Sequence, residues 1–145
     1  MVRDLSRLLR PRSVAVIGGG VWCENVVQQC RAIGFRGAIW PVHPTRTEIA
    51  GAPAFEGLAA LPSAPDAVFI GVNRTLTVQL VAQLAEMGAG GATCFASGFR
   101  EAQLESEDGA DLQEQLLAAA KDMPVIGPNC YGFINYLDGV AVWPD

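Results

Sequence analysis

Residues 11–22 read Pro11-Arg12-Ser13-Val14-Ala15-Val16-Ile17-Gly18-Gly19-Gly20-Val21-Trp22. The run up to Gly18 is apolar without alternation, the pattern of a strand covered on both faces by helices in a parallel sheet. From residue 22 to 33 the apolar positions Val26, Val27, Cys30 and Ile33 fall at helical spacing, and Gly34 supplies the stop. Three glycines thus stand between a buried strand and a helix. Glycine lets backbone amides come close to an anionic group, and the amino end of a helix favours negative charge, so Gly18, Gly19 and Gly20 form a candidate phosphate cradle.

The rest of the chain repeats the alternation. A short helical segment over 4–10 precedes the first strand and ends at Pro11. Further strands are expected over 37–42, 66–72, 91–96 and 124–127, with helices over 75–87 and roughly 101–121, the latter starting late because of Gly109. Leu76, Leu80, Val81 and Leu84 mark one face of the helix over 75–87. Residues 46–62, broken by Gly51, Pro53, Gly57 and Pro62, are expected to make a small helix, an extended piece and a turn. The segment after Gly132 reads as extended pieces around a turn at Asp138–Gly139. About five strands alternating with helices predict a single α/β domain over 1–145, a Rossmann-like doubly wound and mainly parallel sheet.

Composition excludes several function classes. The chain has 145 residues, a net charge of −5, 50% hydrophobic and 17% charged residues. It is long enough to bury one core; the balance is acidic, Lys121 is the single lysine and no Lys/Arg cluster reads as a stripe, so a nucleic-acid partner is not expected. Cys23, Cys30, Cys94 and Cys130 form no C-x-x-C pair and His43 is the sole histidine, which argues against a metal site. The charged N-terminus lacks a secretory pattern and no apolar run reaches a membrane span, so a cytoplasmic protein with reduced thiols and no membrane partner is expected.

In open α/β sheets ligands sit at the carboxyl ends of the strands. The glycine loop satisfies only part of the dinucleotide fingerprint: Gly18 and Gly20 fit, but Cys23 stands where the third glycine belongs. The second strand ends in Val42-His43-Pro44-Thr45-Arg46. It carries no acid to bond ribose hydroxyls, as NAD would ask. His43 and Arg46 instead suit an extra phosphate on the ribose, which leaves NADP and coenzyme A open. Strand three ends in Val72-Asn73, where Asn73 or Thr75 also suits a helix cap. Strand four ends in Ser97-Gly98 and strand five in Asn129-Cys130. Cys130 is expected to be a packing residue, since no second histidine is available to activate it, and Glu101 a charge placed at a helix amino end.

The order PRSVAVIG, PVHP, ASGF and IGPNCYGFIN resembles the CoA-binding domain of the NDP-forming acyl-CoA synthetases, with the succinyl-CoA synthetase alpha subunit a more distant likeness. The resemblance covers roughly residues 5–145. It implies that Gly18, Gly19 and Gly20, with Val21 and Trp22, surround the CoA phosphates, and that Val42, His43, Pro44 and Arg46 line the adenosine end. It further implies that Val72 and Asn73 touch the adenine or ribose, and that Ser97, Gly98 and Asn129 guide the pantetheine arm. Such enzymes join a carboxylic acid to CoA through an acyl phosphate and a phosphohistidine. ATP-grasp and phosphohistidine domains would then be partners in the same or another chain, and residues 1–145 the N-terminal part of a larger synthetase, binding CoA without turnover. A stand-alone CoA-binding or regulatory module and an NADP-binding oxidoreductase domain are the alternatives.

Overall fold

The computed structural model describes residues 2–105 and 107–145; Met1 and Ser106, which fall in the expected domain and its expected last helix, lie outside the described residues. Five parallel strands form the central sheet: β1 (Ser13–Ile17), β2 (Ala38–Val42), β5 (Ala67–Ile70), β6 (Ala92–Cys94) and β7 (Val125–Ile126). Two short strands, β3 (Glu48–Ile49) and β4 (Ala52–Pro53), pair antiparallel between β2 and β5 in the chain. The sheet order is β2-β1-β5-β6-β7. Within the sheet this is the 2-1-3-4-5 order of a doubly wound fold, whose direction of winding reverses between β1 and β5.

Burial explains the sequence pattern. All five residues of β1 and all four of β5 are buried, because helices cover both faces. One face carries α2 (Val21–Ala32), which buries Cys23, Val26, Val27 and Cys30 against Val14, Val16 and Phe69. The other carries α3 (Arg74–Met87) and α4 (Gly109–Ala120) over Ala15, Val68 and Ile70. Helix α1 (Ser6–Leu9) plugs the amino-terminal edge with Leu8. The expected stop after α2 is present: Gly34 adopts φ +86°, and the amides of Gly34 and Phe35 bond the carbonyls of Arg31 and Cys30 at 3.0 Å each.

Two details depart from the sequence reading, at residues 46–62 and on the face of α3, while the late start of the last helix at Gly109 is found as expected. Residues 46–62 hold the β3–β4 hairpin and a 3₁₀ turn at Leu58–Ala60 rather than a leading small helix. The segment after β6 makes a 3₁₀ turn at Arg100–Ala102, and α4 begins only at Gly109. A Cβ at Gly109 would sit 2.2 Å from the Phe99 carbonyl oxygen, so glycine is what lets the helix start against that loop. In α3 the buried positions are Thr77, Val81 and Leu84, whereas Leu76 is 39% exposed. After Gly132, β8 (Phe133–Asn135) and β9 (Val140–Val142) form an antiparallel hairpin, with β9 packed on α2.

Candidate functional site

The five strands deliver their carboxyl ends to one edge of the sheet, and the glycine loop lies beside the point where the winding reverses. Gly18 continues the ladder, its amide bonded to the Val42 carbonyl at 3.1 Å, while the Gly71 amide bonds the Ile17 carbonyl at 2.8 Å. Gly18 has φ +129°, and a Cβ there would lie 2.6 Å from the Gly71 oxygen and 2.8 Å from Cys23 Sγ. It is a packing glycine. Gly20 is different: it caps α2 in an extended conformation with no side-chain cap, and a Cβ on it would meet nothing within 4 Å. The first amides of α2 are therefore reachable from solvent over an open glycine.

The missing third glycine of the fingerprint has a structural counterpart. That glycine lets the helix pack closely on the strand. Here Cys23 occupies the position, and a Cβ on Gly71 would approach its sulfur to 2.5 Å. The room a helix glycine would have made is made instead by a glycine at the end of β5. Burial pushes the Cys23 thiol up to about 11, and the same cause takes Cys30 and Cys94 to about 12. All four cysteines are free, and Cys130 is half-buried with its amide on the Cys94 carbonyl at 3.3 Å.

His43 and Arg46 close the loop from the β2 side. His43 Nδ1 accepts from the amides of Thr45 at 3.1 Å and Arg46 at 2.9 Å. A nitrogen that accepts two amides carries no proton of its own, so the neutral ring keeps its hydrogen on Nε2. The ring edge lies against Gly19, where a Cβ would stand 2.6 Å from Cδ2 and 2.7 Å from Nε2. Arg46 donates to the Gly19 carbonyl at 2.8 Å and to Glu24 Oε1 at 3.1 Å. It clamps the loop to the first turn of α2 with both terminal nitrogens of its guanidinium, Nη1 on Gly19 and Nη2 on Glu24.

A cavity of about 410 Å³ opens here, within the size range of small-molecule sites. It brings together Gly18, Gly19, Val42, His43, Pro44 and Val72 from the sequence reading. Leu58, Leu76, Leu80, Gln83 and Glu56 also line it; none of these was read as a site residue from sequence, Leu76 and Leu80 having been placed only on the apolar face of a helix. Leu76 lies in the first turn of α3, just past the carboxyl end of β5, and that position is the signal that sets it at the rim of the cavity rather than in the core. Glu56 had no local signal at all. It arrives because Phe55 bonds the outer edge of β2, its amide on the Pro41 carbonyl and its carbonyl on the His43 amide, both at 2.9 Å.

Asn73 is the cap of α3, its side-chain oxygen accepting from the Leu76 amide at 2.9 Å. Val21 and Trp22 form the first turn of α2, but the indole turns away from the cavity and packs on Phe95 at 5.5 Å and Tyr131 at 6.2 Å. Ser97, Gly98 and Asn129 sit farther along the edge, where the Asn129 amide bonds the Ala96 carbonyl at 2.9 Å. They do not line the cavity; four strand spacings, roughly 19 Å, separate β2 from β7. Glu101 shapes this end by accepting from the Gly98 and Phe99 amides at 2.8 and 3.2 Å. Burial alone would raise its carboxyl, but bonds from its own amide and those of Phe99 and Gly98 outweigh that and hold it below the usual range. Arg74 steadies the same turn through the Gly98 carbonyl at 2.7 Å.

A model of the CoA-binding domain family matches residues 12–136. The chain belongs to this family. The CoA-binding domain is 36% identical to a trans-feruloyl-CoA synthase from an unknown prokaryotic organism, over 97% of this chain and 20% of that protein. It is 33% identical to the ADP-forming acetate–CoA ligase II of Archaeoglobus fulgidus, over 95% of this chain and 21% of that one. The fold superposes on the apo form of a dinucleotide forming acetyl-coenzyme A synthetase 1 from Ca. Korarchaeum cryptofilum with a TM-score of 0.86 at 25% identity, over 97% of this chain and 31% of that chain. The domain spans about a fifth of the length of the curated relatives it matches. Among the described residues no helix is long and apolar enough to cross a membrane, and no group of three or more His, Cys, Asp or Glu side chains is placed to hold a metal ion.

Proposed function

We propose that this domain lays coenzyme A along the carboxyl edge of its sheet and serves an NDP-forming acyl-CoA synthetase, which joins a carboxylic acid to CoA. The observation that carries the reading is the uncapped amino end of α2, opened by Gly20 and flanked by the Nε2–H of His43 and the guanidinium of Arg46. The residues fit the cofactor in kind. Open amides over Gly19, Gly20, Val21 and Trp22 suit a diphosphate. The cavity between Pro44, Val72 and Leu76 suits a flat base, and His43 and Arg46 suit a ribose phosphate. Ser97, Gly98 and Asn129 would then guide the pantetheine arm, and Asn73 would act through α3, whose first turn carries Leu76.

CoA supplies the thiol that takes up the acyl group. This chain's part is to bind and orient it; the nucleotide chemistry is assigned to ATP-grasp and phosphohistidine domains outside residues 1–145. Trans-feruloyl and acetate groups in the relatives' names bracket the acyl class. The cytoplasm, where thiols stay reduced, is the proposed setting.

Calorimetry with CoA, CoA lacking its ribose phosphate, NADP and NAD tests the reading: CoA is expected to bind tightest, and tighter binding of NADP overturns it. Arg46→Glu is expected to weaken CoA by about 10-fold or more, some 1.4 kcal/mol, and to weaken the dephosphorylated cofactor by only about 3-fold. Equal losses for the two ligands would confine Arg46 to clamping the Gly19 carbonyl.

A further inference from the structure

Glu56 lines the cavity and, among the described residues, has no hydrogen-bond or ion-pair partner; it is the one carboxylate in a described lining that is otherwise apolar, glycine, His43 and Gln83. It is carried there by backbone, not by chance rotation. The Phe55 amide and carbonyl straddle β2 at Pro41 and His43, so residue 56 is delivered to the carboxyl edge as if from an additional parallel strand. In dinucleotide-binding folds an acid at the end of β2 bonds the ribose hydroxyls; Glu56 approaches the same strand end from its outer side. In this chain the acid comes from a different segment.

We propose that Glu56 reads the base: its carboxylate accepts a hydrogen bond from the exocyclic amine of a 6-aminopurine seated between Pro44, Leu58 and Leu76. This rests on the reading that the cavity holds the adenosine end of CoA. An ionised carboxylate only accepts. A 6-aminopurine offers it a donor at position 6, whereas a 6-oxopurine presents an acceptor there and moves its donor to N1, so a carboxylate aimed at position 6 meets a second acceptor and loses its hydrogen bond. The same argument assigns Glu56 to the base rather than to the phosphorylated ribose, because a carboxylate beside that phosphate would repel it, and His43 and Arg46 already face the loop from the β2 side.

The test is a titration of the whole chain with CoA and with deamino-CoA, in which hypoxanthine replaces adenine, for the wild type and for Glu56→Gln. Glu56 is exposed, so the substitution leaves the fold intact, and thermal melts check that. The wild type is expected to prefer CoA by about 10-fold or more. Glutamine both donates and accepts, so Glu56→Gln is expected to bring the two ligands within about 3-fold of each other, chiefly by improving deamino-CoA. A wild type that binds CoA but does not discriminate, or a ratio that Glu56→Gln leaves unchanged, overturns the role of Glu56 and leaves the CoA site standing. A wild type that does not bind CoA overturns the site reading and this inference with it.

Discussion

Helices α2 and α3 follow neighbouring parallel strands and present their amino ends to the same edge of the sheet, yet they are finished in opposite ways. Asn73 closes α3: its side chain takes the Leu76 amide at 2.9 Å. Gly20 leaves α2 open, with an extended backbone and no side-chain cap. A cap such as Asn or Ser is worth about 1 kcal/mol over alanine and only a few tenths over glycine. The domain thus forgoes little stability at α2 to keep amides available, and secures α3 where the first turn has to hold a cavity wall.

The contrast breaks most severely at Gly18, which sets the path of the loop into α2. Gly18→Ala forces a side chain into φ +129° with its Cβ 2.6 Å from the Gly71 oxygen. A loss of about 3 kcal/mol or more is expected, roughly 10 °C in the melting midpoint, or failure to fold. An unchanged melt would mean that the loop relaxes freely and that Gly18 does not fix the geometry of the α2 end.

Gly20→Asp sharpens the contrast by turning α2 into a helix finished like α3. The position is open, so the fold accepts the side chain, which caps the helix and adds charge favourable to its dipole; stability is expected to hold or rise by a few tenths of a kcal/mol. CoA affinity is expected to fall by about 100-fold, because a carboxylate then occupies the amides and repels a diphosphate. Intact affinity in a stably folded Gly20→Asp protein would remove the α2 end from the site.

How much of this was legible in the sequence divides along the same line. The uncapped end of α2 was readable because every ingredient is local: an unbroken apolar run, three glycines and a helical stripe are adjacent between Ser13 and Ile33. That the remaining strands join one mainly parallel, doubly wound sheet followed from their alternation with helices. The segment 46–62 was not readable, since β3 and β4 are two residues long and Phe55 finds its place through bonds to Pro41 and His43, far back in the chain. Glu56 was hidden for that reason. The sequence showed no acid at the end of β2, and the fold brings one there from 14 residues downstream of Val42. Helical spacing likewise grouped Leu76 with Val81 and Leu84, because periodicity marks an apolar face without saying which of its turns overhangs a cavity. Cys23 was read as a defect in the glycine fingerprint; its compensation by Gly71 lies on another strand and shows only in three dimensions.

Asn73→Ala is the smallest of the changes and separates the two helix ends most cleanly. Removing the carboxamide frees the Leu76 amide in the first turn of α3, and a cost of about 1 kcal/mol, roughly 3 °C in the melting midpoint, is expected. If the side chain serves only α3, CoA affinity falls by less than about 3-fold, through slight loosening of Leu76, and Asn73→Ser, which restores a cap, recovers both stability and affinity. If Asn73 also touches the nucleotide, serine restores the melt but leaves CoA binding weakened by about 10-fold, because the shorter side chain no longer reaches. Comparing the alanine and serine proteins by melt and by calorimetry therefore decides whether the closed end of α3 is architecture alone or, as proposed for the open end of α2, a surface for the ligand.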